Sequence, residues 1–358
     1  MTDVRALDRR RILTYAALGA AAPAAGALLG LNPVASASES TGELPDYAPV
    51  PEAAFGPALN SQGYYVGPIK GNLYWVTDSI YQTMFLTTRT GVVLIDAPPT
   101  IGHNLFRAID EVTRAIHRPS KVTHLVYSHF HADHIGAAGL FDHRVVRIAH
   151  SETRRLLRFA KDPNRPLPDI TFDDRYVLDV GGERLELRYH GPNHSEDNIF
   201  IYAPAYRTLM VADVVFPGWA PFLHLAIARD IPAWIHAHDT ALAYPWTTLV
   251  GGHVGRLGVR ADAETQREYM ADLTAGARAA LDNTDLTDFF VRYGTQGNTW
   301  AMIGEYFKAT ARQAAAPVVA KYTGRLAGVD VFTEGHAHVL IESLRVDTGV
   351  MRPVGIQP

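Results

Sequence analysis

The sequence predicts a layered α/β domain that ends in a helical extension, and three observations carry that reading. Short β-type runs alternate with helical patterns between residues 72 and 250. Two similar halves of this alternation each end at histidine and aspartate, and beyond residue 261 the pattern turns mostly helical. At 358 residues the chain is long enough to bury a substantial core. Apolar residues make up 47% and charged residues 20%, with a mean hydropathy of -0.04, which excludes a disordered chain and a membrane bundle alike.

Taken in order, residues 72–77, 81–87 and 92–96 read as an antiparallel meander, separated by turn residues at Asp78-Ser79 and around Gly91. A helical pattern over 101–116 leads into a strand over 122–127, then a strand over 145–149 and a helix over 151–160. The second half predicts strands over 175–180, 184–190, 199–203 and 208–211, a helix over 231–243 and a strand over 247–250. Long helices are expected over 264–282 and 299–322. These signals place the layered α/β domain at 61–260 and a mainly helical extension at 261–358. Residues 38–60, rich in Ser, Pro, Glu and Ala without periodicity, read as a linker or N-terminal arm.

Residues 1–37 read as an address. Asp8-Arg9-Arg10-Arg11-Ile12-Leu13 precedes an uncharged stretch that closes on Ala35-Ser36-Ala37, a small-x-small cleavage pattern. The paired arginines and the mildly apolar Ala/Gly/Pro middle resemble a bacterial twin-arginine signal, with an uncleaved anchor as the alternative. The expected product is exported, to the periplasm or beyond, with no stable membrane association once the signal is gone. Because the removed piece is net basic, the exported chain is mildly acidic.

The formal net charge of -4, with no Lys/Arg-rich block, argues against a nucleic-acid partner and leaves a small molecule as the expected one. With no cysteine there is neither a disulfide frame nor a thiolate metal site, so a metal must be held by histidine and carboxylate. The run His129-Phe130-His131-Ala132-Asp133-His134 follows directly on an apolar strand. Three imidazoles and a carboxylate within six residues are hard to explain as packing, because burying them without partners would cost several kcal/mol. As metal ligands they suit zinc, and also iron, manganese or cobalt.

His-x-His-x-Asp-His after an apolar strand resembles the signature of the metallo-β-lactamase superfamily. The rest of that pattern is matched in order by His194 in Gly191-Pro192-Asn193-His194, by Asp213 in Leu209-Met210-Val211-Ala212-Asp213, and by His253 in Val250-Gly251-Gly252-His253. The resemblance implies an αββα sandwich with the site at one edge of two sheets and two metals, zinc first, with iron or manganese as alternatives. One metal would take His129, His131 and His194, the other Asp133, His134 and His253, and Asp213 would bridge them. Two metals in such a site can share a hydroxide, available near neutral pH because metal binding lowers the pKa of water to about 7. Asp133 and Asp213 are the candidate catalytic carboxylates, with Asp133 steering a proton to the leaving group. Asp96 resembles the family's carboxylate that orients a ligand imidazole. His190 is a weaker candidate for a supporting donor. His236, His238, His336 and His338 read as surface or packing histidines.

The Pro-rich apolar segment after Asp213 offers Phe216, Trp219, Phe222 and His224 as a substrate pocket, which implies a partly apolar substrate. The implied function is hydrolysis of an ester, lactone or amide bond. β-Lactamases of the family that keep all three second-site ligands usually carry cysteine or serine where Asp213 stands, which disfavours, without removing, a β-lactamase. The ligand pattern is closer to lactonases and glyoxalase II, yet Phe216 stands where acyl-homoserine lactonases place a tyrosine, so that phenol is missing. A one-iron persulfide-type dioxygenase and a metal-stabilised binding protein are the alternatives. The helices after residue 261 are expected to cap the site, to form a homo-oligomer, or both. N-terminal sequencing of the exported protein should begin at Ser38; a protein that still begins at Met1 refutes cleavage.

Overall fold

The computed structural model describes residues 44–347, so the expected export segment lies outside the described residues. The first sheet contains β1 (Tyr65–Lys70), β2 (Leu73–Thr77), β3 (Gln82–Thr87), β4 (Val92–Ile95), β5 (Val122–Val126), β6 (Val146–His150) and β7 (Ile170–Phe172), side by side in chain order. Pairing is antiparallel up to β4 and parallel beyond it. Helix α1 (Asn104–Ala115) makes the first parallel crossover, the single turn α2 (Ala132–Ile135) lies in the second, and α3 (Ser151–Ala160) follows β6. The second sheet holds β8 (Arg175–Val180), β9 (Glu183–Tyr189), β10 (Ile199–Ala203), β11 (Thr208–Met210) and β12 (Thr248–Val250), in the order β12-β11-β10-β9-β8. Between β11 and β12 lie α4 (Leu223–Ile227) and α5 (Ile231–Ala243), and the chain closes with α6 (Arg260–Asn283), α7 (Leu286–Tyr293), α8 (Thr299–Tyr322) and α9 (Val329–Val346).

Alternation along the strands sorts these elements into four layers. In β4, Val92 and Leu94 join the cluster formed with Leu105, Ala108 and Ile109 of α1, while Val93 and Ile95 join the cluster between the sheets. That middle cluster meets Leu185 and Leu187 of β9, Ile199 and Ile201 of β10 and Met210 of β11. The opposite residues Phe200, Leu209 and Leu249 turn outward onto Trp234 of α5, Leu273 of α6, Val318 of α8 and Leu340 of α9. The result is the αββα sandwich with C-terminal helices. Central β3 and β4 are buried along their whole length, as strands covered on both faces must be, whereas β9 alternates inward Leu185 and Leu187 with exposed Arg184, Glu186 and Arg188.

Six elements lie outside the sequence expectation, among them the short helices α2 and α4. Gly67 and Pro68 disguise β1, which tolerates a proline because it is an edge strand. β7 has three residues, and α7 buries none of its side chains. α9 carries Gly335 and several β-branched residues, so packing through Val329, Ala337, Leu340 and Leu344 holds it rather than propensity.

Residues ahead of β1 wrap the body. The Ala48 amide donates to Asp330, and Arg256 and Trp219 donate to the carbonyls of Ala53 and Ala54. Gly56 passes so close to Gly255 that a Cβ there would stand 1.5 Å from its carbonyl oxygen.

The helices also reach the loop after β11 through buried hydrogen bonds. Gln266 of α6 accepts from the Phe216 amide at 2.8 Å and donates to the Val214 carbonyl, with its Nε2 also 2.7 Å from Nε2 of His238. The Trp234 indole donates to the Asp213 carbonyl at 2.8 Å, and His336 meets the Phe222 carbonyl while its other nitrogen meets Tyr269. His238 and His336 are therefore buried tethers. Gln266→Leu should lower unfolding stability by about 1–3 kcal/mol for each buried group it leaves unpaired. In urea titrations Arg267→Leu, which removes only an exposed ion pair to Asp239, should cost about 1 kcal/mol or less. Equal effects would refute the tether.

Candidate metal centre

All seven metal-type residues of the sequence pattern meet at one edge of the sandwich, where strands of both sheets end. His129 and His131 follow β5, Asp133 and His134 sit on the single turn α2, His194 lies ahead of β10, Asp213 follows β11 and His253 follows β12. The ligand-type atoms of three overlapping sets each fall within 4.8 Å of one another: His129, His131 and His194; His129, His134 and Asp213; Asp133, His134 and His253. Asp213 stands at their centre. Its Oδ2 lies 3.0 Å from His134 Nε2, 3.3 Å from His194 Nε2 and 3.5 Å from His129 Nε2, and its Oδ1 lies 2.9 Å from His253 Nε2.

The supporting residues decide which edge of each ring faces inward. Asp96, fully buried after β4, accepts the Ser128 amide at 2.7 Å and its hydroxyl at 2.6 Å. With that hydroxyl proton committed, Ser128 Oγ accepts from His129 Nδ1 at 3.0 Å, so His129 presents a bare Nε2. His134 Nδ1 lies 3.8 Å from the same Asp96 carboxylate. His194 donates from Nδ1 to the Ala226 carbonyl at 2.8 Å, and its Nε2 lies 2.9 Å from His131 Nδ1. The Asn193 side chain, itself bonded by Asn198, accepts the His194 amide and fixes that loop.

Backbone conformation contributes as well. Asp96 and Asp213 both take positive φ, 55° and 61°, a costly region for non-glycine residues that turns each carboxylate back over the end of its strand. Gly252, at φ 85°, leaves no room for a side chain: a Cβ would lie 2.9 Å from His134 Cε1. The segment containing α4 is more unusual, because His224, Leu225, Ala226 and Ile227 have φ of 53°, 57°, 56° and 48°, one left-handed turn that aims the Ala226 carbonyl at His194.

The electrostatics separate two groups. Burial, reinforced by neighbouring imidazoles, pushes His131 down to about 4 and His129 and His194 below the usual histidine value, so these rings are neutral and have a lone pair to give. Burial also lowers His253, but the Asp213 and Asp133 carboxylates outweigh it and lift the ring to about 10, and Asp213 likewise raises His134. Burial would raise Asp133 and Asp213; the surrounding imidazoles prevail, holding Asp133 at about 2 and Asp213 well below the carboxylate range. Neither His129 Nε2 nor Asp213 Oδ2, both buried, has a hydrogen-bond partner among the described residues. Inward lone pairs of this kind, on nitrogen and oxygen donors, fit divalent cations.

Above the cluster opens a cavity of about 540 Å³. Phe216, Trp219 and Phe222 line it, together with Ile80, Tyr81, Arg165, Ile227 and Phe332. His224 is exposed and does not line it, and His190 lies elsewhere, its Nε2 2.7 Å from the Tyr244 hydroxyl rather than behind a ligand. Nothing in the spacing of the sequence marks Tyr81, Arg165 or Phe332, which reach the cavity only through tertiary packing. Burial first, then Asp133 and Asp213, push the Tyr81 phenol up to about 12.

A profile of the metallo-β-lactamase superfamily matches residues 76–275. The 2,4-dinitroanisole O-demethylase subunit alpha of Nocardioides sp. (strain JS1661) is 29% identical over 242 residues, 65% of this chain and 68% of that protein. A metallo-beta-lactamase type 2 of Bacteroides fragilis is 26% identical over 135 residues, 38% of this chain and only 53% of that enzyme. Among solved structures, a metallo-beta-lactamase from Pontibacter korlensis superposes with a TM-score of 0.49 at 23% identity, covering 57% of this chain and 97% of that one. With the match to that profile running through more than half of its length, the chain belongs to the metallo-β-lactamase superfamily.

Proposed function

We propose that this protein is a metal-dependent hydrolase that cleaves an ester, lactone or amide bond of a partly apolar small molecule. The observation that carries the reading is Asp213, a buried carboxylate whose two oxygens reach histidines of both ligand groups at the floor of an apolar cavity. His129, His131 and His194 would hold one cation and Asp133, His134 and His253 the other, with Asp213 shared. Bound there, two divalent cations would supply acidified water as nucleophile and withdraw electrons from the attacked carbonyl. Zinc suits the nitrogen and oxygen donors, with iron or manganese as alternatives.

The chain's own residues do the remaining work. Ile80, Phe216, Trp219, Phe222 and Phe332 bury the apolar part of the substrate and displace water from the reacting bond. Asp133, half-exposed at the cavity floor, is ionised and so placed to take the proton released by the attacking water and hand it on to the departing group. The reading includes work outside the cytoplasm, supported by the order of charges and small residues in 1–37. It also includes self-association through the C-terminal helices, supported by Phe290, Val291 and Trp300, which are 52%, 62% and 85% exposed.

A second bond type is favoured by one relative. The O-demethylase subunit aligns with 65% of this chain, and a cavity walled by five aromatic side chains suits a flat ring, so hydrolysis of an activated aryl methyl ether to a phenol and methanol belongs in the same reading.

Residues 38–358 should carry about two equivalents of divalent metal, and turnover should vanish on chelation and return on adding metal back. Lactones, aryl esters, penicillins, cephalosporins, alkyl sulfates and 2,4-dinitroanisole, assayed in parallel, identify the bond. About one equivalent of iron, with oxygen uptake on a persulfide, would sink the hydrolase reading. Asp213→Ala should lose the second metal and at least ~100-fold in kcat; two retained metals with unchanged turnover would refute the bridge.

A further inference from the structure

Besides the metal-type residues, three side chains bring hydrogen-bond donors to the cavity wall: Trp219, Arg165 and Tyr81. Two of them are committed to the fold. The Trp219 indole donates to the Ala54 carbonyl, and Arg165 pairs with Asp162 at 2.7 Å while donating to the Phe130 carbonyl at 2.7 Å. The Tyr81 hydroxyl lies beside the Asp133 carboxylate, a group that itself faces the substrate space.

The position of that phenol is fixed by hydrogen bonds on both sides of it. Ahead of it, Asp78 Oδ1 accepts the amides of Ile80 at 2.9 Å and Tyr81 at 2.7 Å, closing the turn. Behind it, Gln82 donates its amide to the Gly252 carbonyl at 2.8 Å and its buried side chain to the carbonyls of His253, Val254 and Arg256. The Val254 amide returns a bond to the Ile80 carbonyl at 2.8 Å. These contacts join the β2–β3 turn of one sheet to the His253 loop of the other, and they hold the Tyr81 ring 4.6 Å from the His253 ring and 5.9 Å from that of His134, centre to centre. A side chain placed this rigidly is preorganised toward whatever sits over the second ligand group.

We propose that Tyr81 is a catalytic residue: its hydroxyl donates a hydrogen bond to the oxygen of the bond being broken, where negative charge builds as that bond lengthens. This rests on the hydrolytic reading above. Hydrolysis breaks the carbon–oxygen bond, puts the hydroxyl of water on carbon and the hydrogen on the departing oxygen. Tyr81 shares its own proton and keeps it, so no further reactant is required. The donor matters in proportion to the charge it meets, so a basic alkoxide leaving group needs it and a stabilised nitrophenolate does not.

The test is Tyr81→Phe in the metal-loaded, full-length mature protein, with metal content and melting temperature measured alongside kcat and KM. An alkyl ester and the 4-nitrophenyl ester of the same acid are compared. The expected result is a fall of roughly 10²–10³-fold in kcat for the alkyl ester, the scale of removing one preorganised donor, and a much smaller fall for the nitrophenyl ester. Metal content should be unchanged. A second measurement uses an alkyl methylphosphonate monoester, whose oxygens imitate the developing charge, titrated calorimetrically; the variant should bind it at least tenfold more weakly. An equal loss on both esters, loss of metal, or undiminished phosphonate binding would overturn the proposal and leave Tyr81 a positioning residue for Asp133. If the unsubstituted protein cleaves neither ester, the ester reading falls on its own, and the phosphonate titration still decides whether Tyr81 donates.

Discussion

A buried carboxylate among imidazoles is the interaction on which the rest of the structure depends. Asp213 is 3% exposed, and an ionised carboxylate taken that far from water costs several kcal/mol unless charge and hydrogen bonds meet it. Here they come from His129, His134, His194 and His253, which belong to loops after β5, within α2, before β10 and after β12. Both sheets must therefore end at the same edge. The Ile199 amide, bonded to the Ser128 carbonyl, and the Gln82 side chain, bonded to the His253 loop, stitch them there.

The helical layer is part of this arrangement. Trp234, Gln266 and His336 hold the chain between Asp213 and Phe222 by its backbone, from α5, α6 and α9 respectively. The same helices share one hydrophobic cluster with the outer face of the second sheet, so packing of the C-terminal region and placement of the Asp213 carboxylate are mechanically linked. Phe332 of α9 carries that link to the cavity wall.

Much of this was legible in the sequence because its signals are local. An apolar run with a histidine cluster at its end specifies both a buried strand and a loop of metal-type residues, and the ranges around β3 to β6 and β8 to β11 follow from period and punctuation. The seven ligand-type residues come together for the same reason, since each sits within a few residues of a strand end. What escaped was tertiary. β1 hides behind Gly67 and Pro68, α9 behind Gly335 and β-branched residues, and both owe their form to neighbours. Tyr81 stands just ahead of an ordinary strand and enters the site only because β3 is stitched to the His253 loop. His190, four residues ahead of His194, shows the converse: nearness along the chain gives no position in space where the backbone turns between them.

The left-handed turn at 224–227 has one further consequence. It grips His194 through the Ala226 carbonyl, and Asp213 is gripped through its own carbonyl, so in both cases peptide groups carry the load and side chains are left over. Those side chains, Phe216, Phe222 and Ile227 among them, look into the cavity. Replacing them changes what the cavity accepts while the peptide groups keep their grip. The candidate metal site and the shape of the cavity are in this way written on different parts of the same residues, and a lineage can revise one without rewriting the other.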